Sequence, residues 1–224
     1  MSALPRTTPT HPGTDPALTH HRAAIATLGR ELRALVDAAV RSTAPPETLY
    51  DIAEAVRDLA ARFTGPVRTR AQIPVVDEFP GAVRMFSPVI GEGSPLAPPV
   101  RIARDGDGVV GLCTLGLTHE GPPGYGHGGF TAMLLDELMG HACVAAGRPG
   151  MTISLTTRYH RPVPLETPLR IHARVTAAEG RKVFVTGVVS TAEDPVTPLA
   201  GAEAVFVAPD PERAQALFPH LRES

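Results

Sequence analysis

Several residue types are scarce in this chain of 224 residues: tryptophan is absent, Lys182 is the only lysine, and the cysteines are Cys113 and Cys143 alone. Aromatic residues make up 4% of the chain and the formal net charge is −2, so neither base-stacking platforms nor a basic surface for nucleic acid is indicated. The cysteine spacing suits neither a zinc site nor a disulfide framework. We therefore predict reduced core thiols in a cytoplasmic protein.

Long apolar runs are missing as well. No stretch approaches the roughly eighteen consecutive apolar residues that a membrane-spanning helix needs. The N-terminal segment lacks the apolar centre of a secretory signal peptide. The sequence thus predicts neither a membrane nor a nucleic acid as a partner.

The first hundred residues are irregular in composition. Pro, Thr and Gly dominate 1–18, which we predict to be a disordered tail. In 19–64 two amphipathic stripes flank a short Pro-Pro connection, and this pattern predicts a helical hairpin that serves as a packing or oligomerisation extension. The Pro and Gly residues of 65–100 predict an irregular arm that lies over the following domain.

A regular pattern occupies 101–208. A strand over 108–118 and a Gly/Pro loop precede one helix over about 129–147, and four strands without intervening helices follow. Two of the separators between these strands are short, which predicts antiparallel hairpins. The pattern indicates a single α+β domain with a buried central helix, followed by a C-terminal tail at 209–224.

The loop before the helix, GPPGYGHGG, contains a G-x-G-x-x-G pattern made by Gly124, Gly126 and Gly129. A dinucleotide-binding fingerprint would need a parallel return strand and an acidic residue about twenty positions further on, and neither is present. Backbone N–H groups at a helix start fit an oxyanion hole, since they lie at the positive end of the helix dipole. A tight strand-to-helix connection explains the glycines equally well, so the loop alone leaves both interpretations open.

Asp136 is an acid inside a helix that is apolar on nearly every face. A carboxylate in such surroundings needs a hydrogen-bonding neighbour or a function, and the adjoining glycine loop favours a function. Gly129 lies about seven residues away, or about 10 Å along a helix. One small carbonyl cannot reach both groups in one chain, which predicts a two-fold dimer with active sites shared between subunits.

The segments GPPGYGHGGFTAMLLDELMG, MTISLTTRYHRPVPLETPLRIHARV and EGRKVFV together closely resemble the hotdog-fold acyl-CoA thioesterases, in particular the PaaI-like and THEM-type groups. The resemblance covers about 100–208. It implies a hotdog fold, in which an antiparallel sheet wraps around a long central helix, and a homodimer or homotetramer. It further implies hydrolysis of an acyl-CoA thioester, or less readily an acyl-carrier-protein thioester, without a metal or cofactor. A non-catalytic hotdog module that binds acyl-CoA or serves in an assembly is the alternative.

The resemblance also implies roles for individual residues. The N–H groups of Gly129 and Gly128 in the HGG motif would polarise the thioester carbonyl, and Asp136 would be the base or nucleophile. Thr152 matches a threonine that orients the attacking water, and His127 matches a histidine that holds either the substrate or the loop. The remaining candidates are substrate contacts. The acyl pocket is expected to be lined by Phe130, Met133 and Leu134 with the arm around 85–90, while Arg158, Arg161, Arg181 and Lys182 contact CoA phosphates or are simply exposed.

Overall fold

The computed structural model describes residues 15–70, 72–78, 83–208 and 210. No helix within these ranges has both the length and the apolar character needed to cross a membrane. The elements are, in chain order, helices α1 (Pro16–Arg41) and α2 (Pro46–Ala61), strands β1 (Arg101–Asp105) and β2 (Gly108–Thr114), a 3-10 turn (Leu117–His119), helix α3 (Gly128–Ala145), and strands β3 (Met151–Tyr159), β4 (Pro168–Glu179), β5 (Lys182–Thr191) and β6 (Ala200–Val207).

The strands form one antiparallel sheet in the order β1-β2-β4-β5-β6-β3. The four strands expected after the central helix are present, and the α+β class is confirmed. The expected strand at 108–118 ends at Thr114, and β1 is an additional strand that the sequence pattern did not reveal. It consists of five residues, of which four are exposed, so it carries no apolar alternation.

Helix α3 crosses one face of the sheet and forms the core with it. Its apolar residues face inward on several sides, with Leu134, Leu135, Leu138 and Met139 fully buried. The helix ends at Ala145, two residues before the expected stop, because the chain turns at Gly147 with a φ of +71°.

Helix α1 begins at Pro16, inside the segment predicted to be disordered. Asp15 caps the helix, since its side chain accepts a hydrogen bond of 2.9 Å from the Ala17 N–H. Pro16 occupies the first helical position, where its missing N–H costs nothing. The prediction of a tail is therefore wrong for 16–18, while 1–14 lie outside the described residues.

Close backbone packing joins α1 to the arm. A Cβ added at Gly29 would lie 2.6 Å from Gly93 Cα, so only glycine permits this approach. Arg33 donates hydrogen bonds of 2.8 Å to the carbonyl oxygens of Glu92 and Ser94. The arm has no helix or strand in its described residues, and it buries Val89 in the core against the sheet domain.

Helix α2 does not pack against α1, and every residue of it is exposed. The hairpin prediction is wrong in this respect. The connector holds the helices apart because Ser42 and Pro45 both have extended backbone, with ψ of 135° and 157°. Consecutive prolines at 45 and 46 favour such a conformation and disfavour a chain reversal.

Candidate active site

The start of α3 carries the predicted oxyanion donors. His127 caps the helix, and its Nδ1 accepts a hydrogen bond of 3.0 Å from the Gly129 N–H. The Gly128 N–H has no acceptor in the described part of the chain. Among the described residues, the Gly128 N–H at the helix start therefore has no acceptor, while the Gly129 N–H donates to the His127 imidazole. His127 has the loop-stabilising contact that was one of its two expected roles.

Backbone hydrogen bonds hold the glycine loop in place. The Gly126 N–H donates to the Val163 carbonyl at 2.8 Å, and the His127 N–H donates to the His119 carbonyl at 2.8 Å. A Cβ added at Gly126 would lie 2.9 Å from Leu115 Cδ1. A larger residue at this position would require the Leu115 side chain to shift, so close packing favours glycine independently of any ligand.

Asp136 lies on the face of α3 that points toward β3. The Thr152 hydroxyl donates a hydrogen bond of 2.8 Å to its Oδ1. Oδ2 has no partner within the described residues. In one protomer the carboxylate is half-buried rather than enclosed, so it remains open to water or to a substrate. Its neighbour Glu137 faces elsewhere and lies 3.5 Å from His141.

A β-bulge brings Thr152 to this position. Thr152 pairs with the buried Phe206 and Ser154 pairs with Val205, which leaves Ile153 as an extra residue in β3. The bulge reverses the alternation of the strand, so the Thr152 side chain faces α3 while Ser154 faces away. Without it, Thr152 would lie on the face opposite Asp136.

The donor group and the acid remain apart in one protomer. Both lie on the continuous helix Gly128–Ala145, and the rise of an α-helix separates Gly129 from Asp136 by about 10 Å. The structure therefore brings Asp136 together with Thr152, and His127 together with Gly129, as two separate groups.

Phe130 and Met133 are half-buried and pack against the core near the helix start. The Phe130 ring contacts His119 edge-on, with 4.4 Å between centroids. The Nε2 of His119 lies 3.1 Å from the Leu96 carbonyl oxygen, which ties this region to the arm. Ile90 also packs against the core, so the arm borders the predicted acyl-binding region.

The predicted phosphate-binding cations do not gather in one place. Arg158 lines a cavity of about 230 Å³ with His160 and Glu203, on the face of the sheet away from α3. Arg158 therefore does not share a face with Asp136. Arg161 lies just beyond β3. The pKa of Asp194 is lowered mainly by hydrogen bonds from Thr197, and the positive charge of Arg161 lowers it further.

Arg181 and Lys182 lie at the opposite end of β3 from Arg158 and Arg161. Lys182 and Met151 both pair with Val207, which places the β4–β5 turn beside the beginning of β3. Arg181 forms an ion pair of 3.2 Å with Asp210. A strand rises about 3.3 Å per residue, so the nine residues of β3 separate the backbones of the two pairs of cations by about 25–30 Å.

Tyr159 is a site residue that the sequence reasoning missed. Its hydroxyl donates a hydrogen bond of 2.7 Å to the Gly128 carbonyl oxygen. Once the bulge at Ile153 is taken into account, alternation along β3 places Tyr159 on the same face as Thr152. Because the bulge is not visible in the sequence, the sequence does not indicate that Tyr159 and Thr152 lie on the same face of β3.

A long helix across one face of a single antiparallel sheet is the arrangement of the hotdog fold. The family model described as "Thioesterase superfamily" matches residues 123–197. A solved structure described as a thioesterase superfamily protein is 32% identical, with a TM-score of 0.69 over 82% of this chain and 94% of that one. The chain belongs to the thioesterase superfamily, and the family expected from the sequence is confirmed.

Curated relatives carry more specific names. The mouse "Acyl-coenzyme A thioesterase THEM4" is 33% identical over 104 residues, which are 46% of this chain and 44% of the relative. The Xenopus laevis protein of the same name is 39% identical over 75 residues, 34% of each chain. The chain thus spans less than half the length of these relatives.

Proposed function

We propose that this protein hydrolyses acyl-CoA thioesters to a free acid and CoA. The observation that carries the proposal is the Asp136 carboxylate, which Thr152 holds through one oxygen while the other is free. The similarity to proteins named acyl-coenzyme A thioesterases supports this substrate class. We also propose a cytoplasmic location, which the two free, buried cysteines support.

In the proposed mechanism, the thioester oxygen accepts hydrogen bonds from the Gly128 N–H and from the Gly129 N–H, from which it displaces the exposed His127 ring. Asp136 Oδ2 removes a proton from a water molecule whose oxygen attacks the carbonyl carbon, with Thr152 orienting the water and the acid. The tetrahedral intermediate then collapses, the C–S bond breaks and the thiolate takes up a proton. A thiol pKa of about 8.5 means that the leaving group needs no strong acid.

In a variant of this mechanism, Asp136 itself attacks the carbonyl and water hydrolyses the resulting anhydride. Both routes use the same two groups of residues. Incorporation of ¹⁸O from labelled water into Asp136 in a single turnover identifies the nucleophilic route with attack of water on the aspartyl carbonyl. Label in the acid product alone is expected both for the general-base route and for an anhydride hydrolysed at its acyl carbonyl.

We propose that two subunits complete each site. The acid and the N–H donors of one helix are about 10 Å apart, so the donors of one subunit would serve the acid of the other. Strand β3 supports this arrangement because it is a nine-residue edge of the sheet with Met151 and Ile153 exposed. An edge of this kind pairs readily with a second copy. A homodimer, or a homotetramer built from two such dimers, is the proposed assembly.

We propose that Phe130 and Met133, with the arm, line the acyl group. For the CoA phosphates, Arg181 and Lys182 lie at the end of β3 nearer Thr152, and Arg161 lies at the end nearer the glycine loop. In a shared site, these two ends would come from different subunits and lie close together. Arg161, Arg181 and Lys182 therefore remain candidates. Arg158 does not, because it lies on the face of the sheet that is turned away from Asp136.

A panel of short, long and aromatic acyl-CoAs tests the function through release of free thiol. Turnover of at least one compound is expected, and the pattern of rates defines the acyl pocket. Calorimetric binding without turnover across the panel would overturn the proposal in favour of the acyl-CoA-binding module.

Mixing two inactive variants tests the shared site. Asp136→Asn removes the acid and Gly129→Pro removes one N–H donor at a position in the first helical turn that tolerates proline. Subunit exchange at equal amounts should restore about a quarter of the wild-type activity, because half of the dimers are mixed and each has one intact site of two. No recovery after demonstrated exchange contradicts shared sites.

A further inference from the structure

Side chains hold the peptide group between Gly128 and Gly129 at both ends. The Tyr159 hydroxyl donates to its carbonyl oxygen at 2.7 Å, and its N–H donates to His127 Nδ1 at 3.0 Å. The carbonyl and the N–H belong to one planar unit, so the Tyr159 contact still fixes the direction of the N–H after the thioester oxygen has displaced His127. This N–H is one of the donors in the proposed oxyanion hole.

We propose that Tyr159 is a positioning residue for the oxyanion donor, an inference that rests on the proposed thioester hydrolysis. A hydrogen bond to the carbonyl draws electron density toward oxygen and makes the N–H of the same peptide a stronger donor, since hydrogen bonds in a chain polarise one another. The gain is largest when negative charge develops on the thioester oxygen. Tyr159 thus acts on the transition state through Gly129 and does not touch the reacting atoms.

The exposure of Tyr159 argues against a purely structural role. The side chain is 53% exposed, and its hydroxyl can reach water without the Gly128 carbonyl. Loss of the hydroxyl leaves the ring against Gly128, where a Cβ would lie 3.4 Å from it. A phenylalanine should therefore preserve the packing and remove only the hydrogen bond.

Tyr159→Phe tests this inference, with Tyr125→Phe as the matched control. Tyr125 is another partly exposed tyrosine, in the glycine loop, and no hydrogen bond of its hydroxyl occurs within the described residues. We expect kcat to fall about 3- to 10-fold in Tyr159→Phe, with KM and the unfolding temperature unchanged, since one hydrogen bond is lost in the transition state. Tyr125→Phe should behave as wild type.

A second readout does not depend on turnover. In an Asp136→Asn background, the infrared carbonyl stretch of a bound thioester substrate should move to lower frequency, and Tyr159→Phe should reduce that shift. If the wild-type enzyme is active and Tyr159→Phe leaves kcat and the carbonyl frequency unchanged, the inference about Tyr159 is wrong while the proposed function stands. An inactive wild-type protein would instead overturn the proposed function. A raised KM with unchanged kcat would assign Tyr159 to substrate binding and also contradict the inference.

A different observation, the exposed apolar stripe of α2, carries a second inference independently. Its residues are spaced alternately three and four apart, and the exposed fractions are 46% for Leu49, 46% for Ile52, 40% for Val56, 43% for Leu59 and 66% for Phe63, just beyond the helix. This is the spacing of a coiled-coil seam. Because a helix of 16 residues without tertiary contacts is marginal in water, the stripe requires a cover.

We infer that this cover is the α2 helix of a second copy, packed antiparallel. The first half of α2, residues 46–53, carries the acids Glu47 and Asp51 and no basic residue. Arg57 lies in the second half with the acids Glu54 and Asp58, and Arg62 directly follows the helix. An antiparallel pair centred on Val56 therefore places Arg62 of one helix within about a turn of Glu47 and Asp51 of the other.

Two further features favour this occupant. Alanines at 53, 55 and 60 flank the seam and allow close approach of the helices. The extended connector turns α2 away from its own α1, and the acidic half disfavours an anionic lipid surface.

Val56 is the middle residue of the stripe, so the two-fold axis of the pair passes beside it. In the full chain, Val56→Cys should form a disulfide between two copies under mild oxidation, and Val56→Glu should halve the mass measured by light scattering. Tyr50→Glu is the control, since Tyr50 is 76% exposed and lies off the stripe. Catalytic activity should persist in Val56→Glu.

An unchanged mass in Val56→Glu would overturn the α2 pairing. In the double variant with Leu35→Cys and Val56→Cys, a disulfide within one chain would also overturn the pairing, because α2 would then fold back on its own α1. Neither result bears on the thioester chemistry.

Discussion

The Thr152 hydroxyl lies 2.8 Å from Asp136 Oδ1, and the bulge at Ile153 is the reason. One extra residue in an edge strand turns a threonine toward a helix carboxylate that would otherwise have no hydrogen-bonding partner in the described residues. The contact fixes one oxygen of the acid and leaves the other without a partner in the described residues. A structural irregularity thereby becomes part of the proposed catalytic group.

Replacement of Asp136 should remove catalysis and leave the fold intact. Asp136→Asn keeps the size of the side chain but cannot act as a base, and we expect thiol release to fall by about 10²-fold or more. Glu137→Gln, which alters the adjacent acid that faces His141, should retain activity. Unchanged turnover in Asp136→Asn would remove Asp136 from the mechanism.

Thr152 should contribute through its hydroxyl alone. Thr152→Ser should retain most of kcat, whereas Thr152→Val should lose about 10-fold, because the acid and the water lose an orienting hydrogen bond. Thr156→Val on the opposite face of the same strand is the control. Equal rates for the Ser and Val variants at position 152 would show that the hydroxyl has no role.

The Gly128 N–H can be deleted with little strain. Proline suits the first helical position, and the preceding His127 already has extended backbone with ψ of 131°. We expect Gly128→Pro to reduce kcat by about 10²-fold, as is typical for the loss of one oxyanion donor. Gly128→Ala keeps the N–H and should remain active, since its Cβ would make an ordinary contact of 3.4 Å with Tyr159.

Gly29→Ala should lower the free energy of unfolding, whereas Gly→Ala at an exposed helical position usually raises it. Gly→Ala ordinarily stabilises a helix by about 1 kcal/mol, but a Cβ at position 29 meets backbone atoms of Glu92 and Gly93 that cannot rotate away. We expect Gly29→Ala to destabilise the protein by about 1–3 kcal/mol in chemical denaturation. Ala34→Gly, at an exposed position on the same helix, measures the propensity effect separately.

The two thiols should make the protein less stable at high pH. Burial raises the pKa of Cys113 to about 12 and that of Cys143 to about 11, from 9.0. The unfolded chain loses these protons above pH 9 while the folded chain keeps them, so stability is full below pH 9 and falls as pH rises toward 11–12. Unfolding curves between about pH 8 and 11 should show this loss, and Cys143→Ala should reduce it. An identical pH dependence in that variant would contradict the assignment.

The sequence pattern predicted the sheet domain well because local signals and burial agree there. The alternation in β4 and β5 and the apolar residues on nearly every face of α3 both reflect surfaces that must be covered. The pattern failed at β1, which has no buried face, and at the packing of α2, which depends on the conformation of a proline connector. Charge alone also failed to predict which arginines share a face.

Residue type and spacing along one helix are enough to predict the central helix, the acid Asp136 on it and the glycine turn before it. The contacts that Asp136 and the Gly128 carbonyl make with β3 form only when the sheet is assembled. Thr152 and Tyr159 reach these groups from a bulge and from a strand end, and both positions depend on how the strands pair, whereas His127 reaches the Gly129 N–H locally as the cap of the same helix. Register is a property of the assembled sheet, so no single segment of the chain encodes it.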